Sequence, residues 1–207
     1  MQEPWIERWQ EGRIGWHKAE GSASLKKYWR VTDRNVLVPL CGKSVDLKWL
    51  ADQGNRVVGV ELSDIAIRAF FEEQALEYTI VDGELPTYQA TDAAITIYCG
   101  DYFDLHDVRC NAHYDRGALI ALPGDVRTAY AAHTSSLLTP EAEQLVITLD
   151  YDEAVTVGPP FSVSDEEVHS YWPDLVCVDQ RDDIADAPPK FINAGLTSMP
   201  EKVWRSP

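Results

Sequence analysis

Short, almost wholly apolar runs recur along this chain, each followed by a polar turn and a stretch with helical periodicity. That rhythm limits the folds open to it. Asn35–Cys41 (NVLVPLC) and Arg56–Leu62 (RVVGVEL) are apolar on nearly successive residues, a pattern that suits a strand covered on both faces. Between them Asp46–Gln53 has the spacing of a short amphipathic helix, and Gly54 stands where a helix stops. Ser63-Asp64 supplies an N-cap for a helix over Ile65–Gln74. Further strands are expected at Ala94–Cys99, Gly117–Leu122 and Gln144–Asp150, with a helix over Val126–Leu138 opened by Pro123-Gly-Asp. In the tail, Ser164–Tyr171 reads as helix, and Leu175–Val178 and Lys202–Arg205 as short strands. Strands alternating with helices at this spacing imply an α/β domain built on a mostly parallel sheet.

The 207 residues suit one domain. With 18 Lys+Arg against 34 Asp+Glu, the formal charge is −16. Such a surface repels phosphate backbones and anionic lipid, so neither nucleic acid nor a membrane is an expected partner. No apolar run approaches the roughly 20 residues of a membrane span, and the charged start MQEPWIERWQ has no signal-peptide core. Cys41, Cys99, Cys110 and Cys177 lie far apart, without a CxxC pair or zinc-type His spacing. Reduced thiols in a cytoplasmic protein, and no metal, are the expectation.

Sheets of this class bind ligands beyond the carboxyl ends of their strands. The turn Pro39–Ser44 ends in GKS, but Leu37 stands where a phosphate-binding loop needs its first Gly. A dinucleotide GxGxxG is also missing. Glu61 ends the second strand about twenty residues after that turn, the place of an acid that grips a ribose; a solvent-facing strand end reads equally well. Asp101 follows the third strand and suits either an adenine edge or a cap on its own loop. Arg116, beside an apolar run, needs a partner: Asp115 or an anionic substrate. Trp5 and Trp9 share one helix face, either packed on the sheet or roofing a planar ligand. Gly158-Pro-Pro-Phe161 makes a stiff apolar loop, a pocket wall or a plain connection.

The strings WIERWQEGRIGWH (Trp5–His17), VLVPLCGKSVDLKWLADQG (Val36–Gly54), VVGVELSDIAIRAFFEEQ (Val57–Gln74), YDRGALIAL (Tyr114–Leu122) and DYDEAVTVGPPFSV (Asp150–Val163) resemble the bacterial branch of the thiopurine S-methyltransferase family over nearly the whole length. The resemblance implies a Rossmann-like three-layer class I methyltransferase with a mostly parallel sheet of seven strands. Residues 1–34 would form an aromatic lid and 35–207 the core of a single domain. It implies S-adenosylmethionine as cofactor and S-adenosylhomocysteine as product, held by Trp9, Leu40, Gly42, Glu61, Leu62, Asp101, Tyr102 and Arg116. Arg116 would also act on the acceptor, with Lys190 where relatives often have a second active-site Arg. Trp16 and Phe161 would line the substrate pocket. The expected reaction moves a methyl group to the thiolate of an aromatic or heterocyclic thiol, in a monomer acting on a small molecule. Rival readings are selenium, tellurium or other small acceptors, a non-catalytic adenosyl-binding protein, and a nicotinamide dehydrogenase.

Overall fold

The computed structural model describes residues 3–15 and 17–207; Trp16 lies outside the described residues. Six of the seven expected strands form, as β1, β2, β5, β7, β8 and β9 of the set β1 (Asn35–Val38), β2 (Arg56–Glu61), β3 (Tyr78–Val81), β4 (Thr87–Ala90), β5 (Ile95–Cys99), β6 (Cys110–Arg116), β7 (Leu138–Leu149), β8 (Val176–Asp182) and β9 (Pro200–Arg205). The described residues thus hold nine strands where seven were expected. The helices are α1 (Glu3–Gln10), α2 (Ala23–Tyr28), α3 (Asp46–Asp52), α4 (Asp64–Glu73), α5 (Gly124–Leu137), α6 (Asp165–Tyr171) and α7 (Pro189–Asn193).

The chain forms two compact units, residues 1–113 with 137–142, and 114–136 with 143–207. In the first, β5, β2, β1 and β6 lie side by side and parallel, with Val36 opposite Val57 and Ala112, and Glu61 opposite Cys99. Val36, Leu37, Val57 and Ile97 are almost wholly buried, which is why these runs lack polar alternation. Helices α3 and α4 pack on β2 and β5. Ser63 caps α4 by accepting from the Ala66 N–H, and α4 buries Ile67, Phe70 and Phe71.

The two extra strands are the hairpin β3–β4, antiparallel and continuing from β5. Its strands YTIV and TYQA are four residues each, with Thr79 to Val81 exposed, and it is held from the side. Arg68 on α4 donates to the Tyr78 and Tyr88 hydroxyls, each at 3.1 Å, and the rings of Phe71 and Tyr78 lie 4.6 Å apart. In the second unit β9 pairs antiparallel with β7 and β8. Its core gathers Leu149, Tyr151, Phe191, Leu196 and Met199.

One expected strand is wrong. Gly117–Leu122 contains a 3-10 turn, Leu119–Ala121, and the fourth strand of the alternation is β6, just upstream. Within the apolar run GALIAL, Ala118 and Leu119 are buried in a turn because a carboxylate, Asp115, satisfies their N–H groups. The true strand, CNAHYDR, has no continuous apolar run because it is rich in polar residues, although Ala112 to Asp115 are all buried.

Candidate functional site

The first unit holds the expected cofactor residues except Arg116, with Trp9 on α1 and the rest at or beyond the carboxyl ends of β1, β2 and β5. Beyond β1 the chain turns sharply: Leu40 has φ +46 and Gly42 φ +54. A non-glycine residue in the left-handed region is strained, and such strain concentrates at ligand-holding turns. The Cys41 N–H donates to the Val60 carbonyl at 2.9 Å, which ties the turn to β2. Burial, followed by the nearby Glu61 carboxylate, pushes the Cys41 thiol far up, so Cys41 is inert packing.

Glu61 is the centre of this cluster. Its Oε2 accepts the Gly42 N–H at 2.8 Å and its Oε1 the Ser63 N–H at 2.9 Å. One buried carboxylate therefore bridges the loops after β1 and β2. Desolvation raises its pKa, and the N–H groups of Ser63, Gly42 and Leu62 pull the other way. The solvent-facing alternative is excluded, since Glu61 is only 7% exposed. Each of its oxygens takes one of these two backbone bonds and keeps capacity for a further donor, which fits the two hydroxyls of a ribose.

Trp9 on α1 roofs the turn. Its ring carbon Cζ2 lies 3.2 Å from where a Cβ on Gly42 would sit, and Trp9 is buried. Gly42 is thus required twice, by its backbone angle and by the ring above it. Trp5, on the same helix face, lies under the Arg8 guanidinium, 4.8 Å from the ring centre. After β5, the Gly100 N–H donates to the Glu61 carbonyl. Asp101 then accepts from the Phe103 N–H at 3.0 Å, the capping role weighed for it, and Tyr102 is buried beside it. Leu62 follows Glu61 and leads into the α4 cap.

The second unit carries the residues expected on the acceptor side. Arg116 ends β6 and is half-buried. Phe161 donates its N–H to the Ile120 carbonyl at 2.7 Å, and the Arg127 guanidinium lies 5.7 Å from its ring. Lys190 on α7 donates to the Val157 carbonyl at 3.2 Å and sits over the Phe191 ring. That bond ties α7 to the Gly158–Phe161 loop. Tyr130, which carried no signal in the sequence, matters here, being fifteen positions from the carboxylate it meets. In the first unit Ser63, expected as a helix cap at a strand end, also orients Glu61 through its N–H.

The sequence profile of the family described as Thiopurine S-methyltransferase (TPMT) matches residues 1–206. The curated thiopurine S-methyltransferase of Bordetella petrii is 44% identical over 211 residues, covering 97% of this chain and 95% of the relative. That of Pseudomonas fluorescens strain Pf0-1 is 43% identical over 213 residues, covering 97% and 96%. Among solved structures, the fold resembles the 1,6-didemethyltoxoflavin-N1-methyltransferase of Burkholderia thailandensis, bound to 1,6-didemethyltoxoflavin and S-adenosylhomocysteine, with TM-score 0.64 and 16% identity over 99% of this chain and 86% of that one. An S-adenosylmethionine-dependent methyltransferase of Anabaena variabilis gives TM-score 0.64 at 14% identity, covering 99% and 93%. At those identities the structures speak for the fold, a class I methyltransferase α/β architecture. A profile match from end to end, with relatives above two-fifths identical along their full length, makes this chain a member of the thiopurine S-methyltransferase family.

Proposed function

We propose that this protein methylates the sulfur of aromatic or heterocyclic thiols, with Glu61 holding the ribose of its cofactor and Arg116 acting on the acceptor. By family the chain is an S-adenosylmethionine-dependent methyltransferase. The observation that carries the cofactor reading is the buried Glu61 carboxylate, joined to the Gly42 and Ser63 N–H groups. When bound, S-adenosylmethionine supplies a methyl carbon already activated by the positive charge of its sulfonium.

The chain's own residues therefore have to bind, align and exclude water rather than supply strong acid–base chemistry. Glu61 accepts the ribose hydroxyls. The strained turn at Leu40 and the side-chain-free Gly42 bring backbone close to the methionine part, under Trp9. On the acceptor side the Arg116 guanidinium lowers the pKa of a thiol beside it and so favours the thiolate, the form that attacks. Heteroaromatic thiols are acidic enough to ionise with that help alone. Phe161 offers an aromatic face to a planar ring and keeps water from it. Lys190 adds a second positive charge on the same side, with a point-like ammonium in place of a guanidinium fork. We place this activity in a monomer in a reducing cytoplasm, where it would detoxify small nucleophiles.

The test is an activity panel with methyl-labelled S-adenosylmethionine against aromatic thiols and selenite, run on the native protein, Glu61→Gln and Arg116→Ala. Labelled thioether is expected from the thiols. Glu61→Gln should weaken S-adenosylhomocysteine binding by about 1.5–3 kcal/mol, the worth of a hydrogen bond to a charged group. Arg116→Ala should cut thiol turnover more than it weakens that affinity. Turnover of selenite alone would reassign the acceptor, and unchanged cofactor affinity in Glu61→Gln would remove the ribose role.

A further inference from the structure

The loop that follows Arg116 is organised by a carboxylate one residue before it. Asp115 is 1% exposed. Its Oδ1 accepts the Ala118 N–H at 3.1 Å and the Leu119 N–H at 3.2 Å. Its Oδ2 accepts the Leu119 N–H at 3.3 Å and the Tyr130 hydroxyl at 2.8 Å. Arg116 and Gly117 are enclosed in the ring that these bonds close, and Gly117 takes φ +104 to let the chain turn. The 3-10 turn Leu119–Ala121 so capped then offers the Ile120 carbonyl, which receives the Phe161 N–H at 2.7 Å. Tyr130 belongs to α5, is wholly buried, and fixes the far side of the carboxylate. A buried carboxylate costs free energy unless its lone pairs are used. Here they are used on the turn that follows Arg116 and on Tyr130 of α5.

We propose that Asp115 and Tyr130 form a positioning pair for the acceptor side, setting the place of Arg116 directly and that of Phe161 through the Leu119–Ala121 turn. Neither residue acts on the substrate itself. The inference rests on the reading that Arg116 favours the ionised thiol. It adds that this arginine works only as well as the turn holding it. Removing the Tyr130 hydroxyl loosens the carboxylate, and Arg116 then samples positions further from the sulfur.

The experiment compares the full-length protein with Tyr130→Phe, Asp115→Asn, their double variant and Arg116→Ala. It reads kcat and KM for an aromatic thiol across pH, with S-adenosylhomocysteine affinity by calorimetry. Tyr130→Phe keeps the ring and loses one bond, so kcat/KM for the thiol should fall about tenfold, as one or two kcal/mol of positioning implies. Cofactor affinity should stay within about twofold of the native value. The alkaline shift of the kcat/KM profile caused by Arg116→Ala should appear in Tyr130→Phe in the same direction and to a smaller extent, which a loss of stability alone would not produce. The double variant should be no worse than Asp115→Asn, because both changes break one linkage. If Arg116→Ala shifts the profile and the folded Tyr130→Phe does not, the positioning role is overturned and the acceptor reading stands. If Arg116→Ala leaves turnover and profile native, both fall. Should Asp115→Asn fail to fold, Tyr130→Phe alone decides the matter.

Discussion

Gly42 shows how much a single position can carry in this protein. A side chain there would have to adopt φ +54 and push a Cβ to 3.2 Å from the Trp9 ring. Gly42→Ala should therefore cost about 1–2 kcal/mol in urea unfolding and also weaken S-adenosylhomocysteine binding, because the shifted turn moves the N–H that orients Glu61. Native affinity in a merely destabilised variant would separate the turn from the site. Asp115 offers a second test at this scale. Burial pushes its carboxyl up to about 6 from 3.8, against the pull of Tyr130, Leu119 and Ala118. A folded pKa above the unfolded one means that the native state binds the extra proton. The contribution is then fully present below about pH 4 and is lost as pH rises through about 6, in total about 3 kcal/mol. The stability of the native protein relative to Asp115→Asn should fall by that order between pH 4 and 7. A flat difference would show that Asp115 is ionised without penalty. Neither residue was legible in full. Gly42 stood out as the glycine of the first turn, whereas the part played by Asp115 needed Tyr130, which only folding brings near.

At the scale of elements, α5 is the clearest case of a helix whose polar residues matter more than its apolar ones. Arg127, 3% exposed, donates to the Leu122 and Ser162 carbonyls and to both oxygens of Glu167. One turn on, Tyr130 reaches Asp115. Residues three apart share a helix face, so α5 holds the segments around residues 115–122 and 161–167. Arg127→Gln should cost about 2–4 kcal/mol in thermal or urea unfolding, because it removes the partner of Glu167 and two carbonyl bonds. Glu167→Gln should cost less, since Arg127 keeps its carbonyl acceptors and Glu167 is partly solvated. Equal losses would assign the energy to the ion pair alone. Strands β1, β2 and β5 and helices α3 to α6 were readable because burial on both faces, or on one stripe, imprints a periodicity on the residues. The hairpin β3–β4 and strand β6 left no such imprint: one is an exposed edge held by Arg68 and tyrosines, the other a buried strand rich in polar groups.

For the whole molecule, a ligand that binds only the folded chain must raise its melting temperature. S-adenosylhomocysteine at a hundred times its Kd should add about 2.7 kcal/mol, which for a chain of this size is roughly 5–11 °C. NAD and ATP at the same concentration should add nothing measurable, and a shift with NAD instead would favour the dehydrogenase alternative. Among the described residues no helix is long and apolar enough to cross a membrane. From its residues alone the chain declares an α/β sheet, the strand end that carries Glu61, and, through its strings, its family, whereas only the structure puts Arg116 at the end of a strand. Those are local matters: an apolar run, a turn or a motif is written in neighbouring positions. Tertiary structure alone decided that Trp9 covers Gly42, that Glu61 joins two loops, and that Tyr130 braces the carboxylate beside Arg116. Each of these joins residues far apart in the chain, and which of many polar groups ends beside a given buried one depends on how the elements pack, which the spacing of residues along the chain does not record.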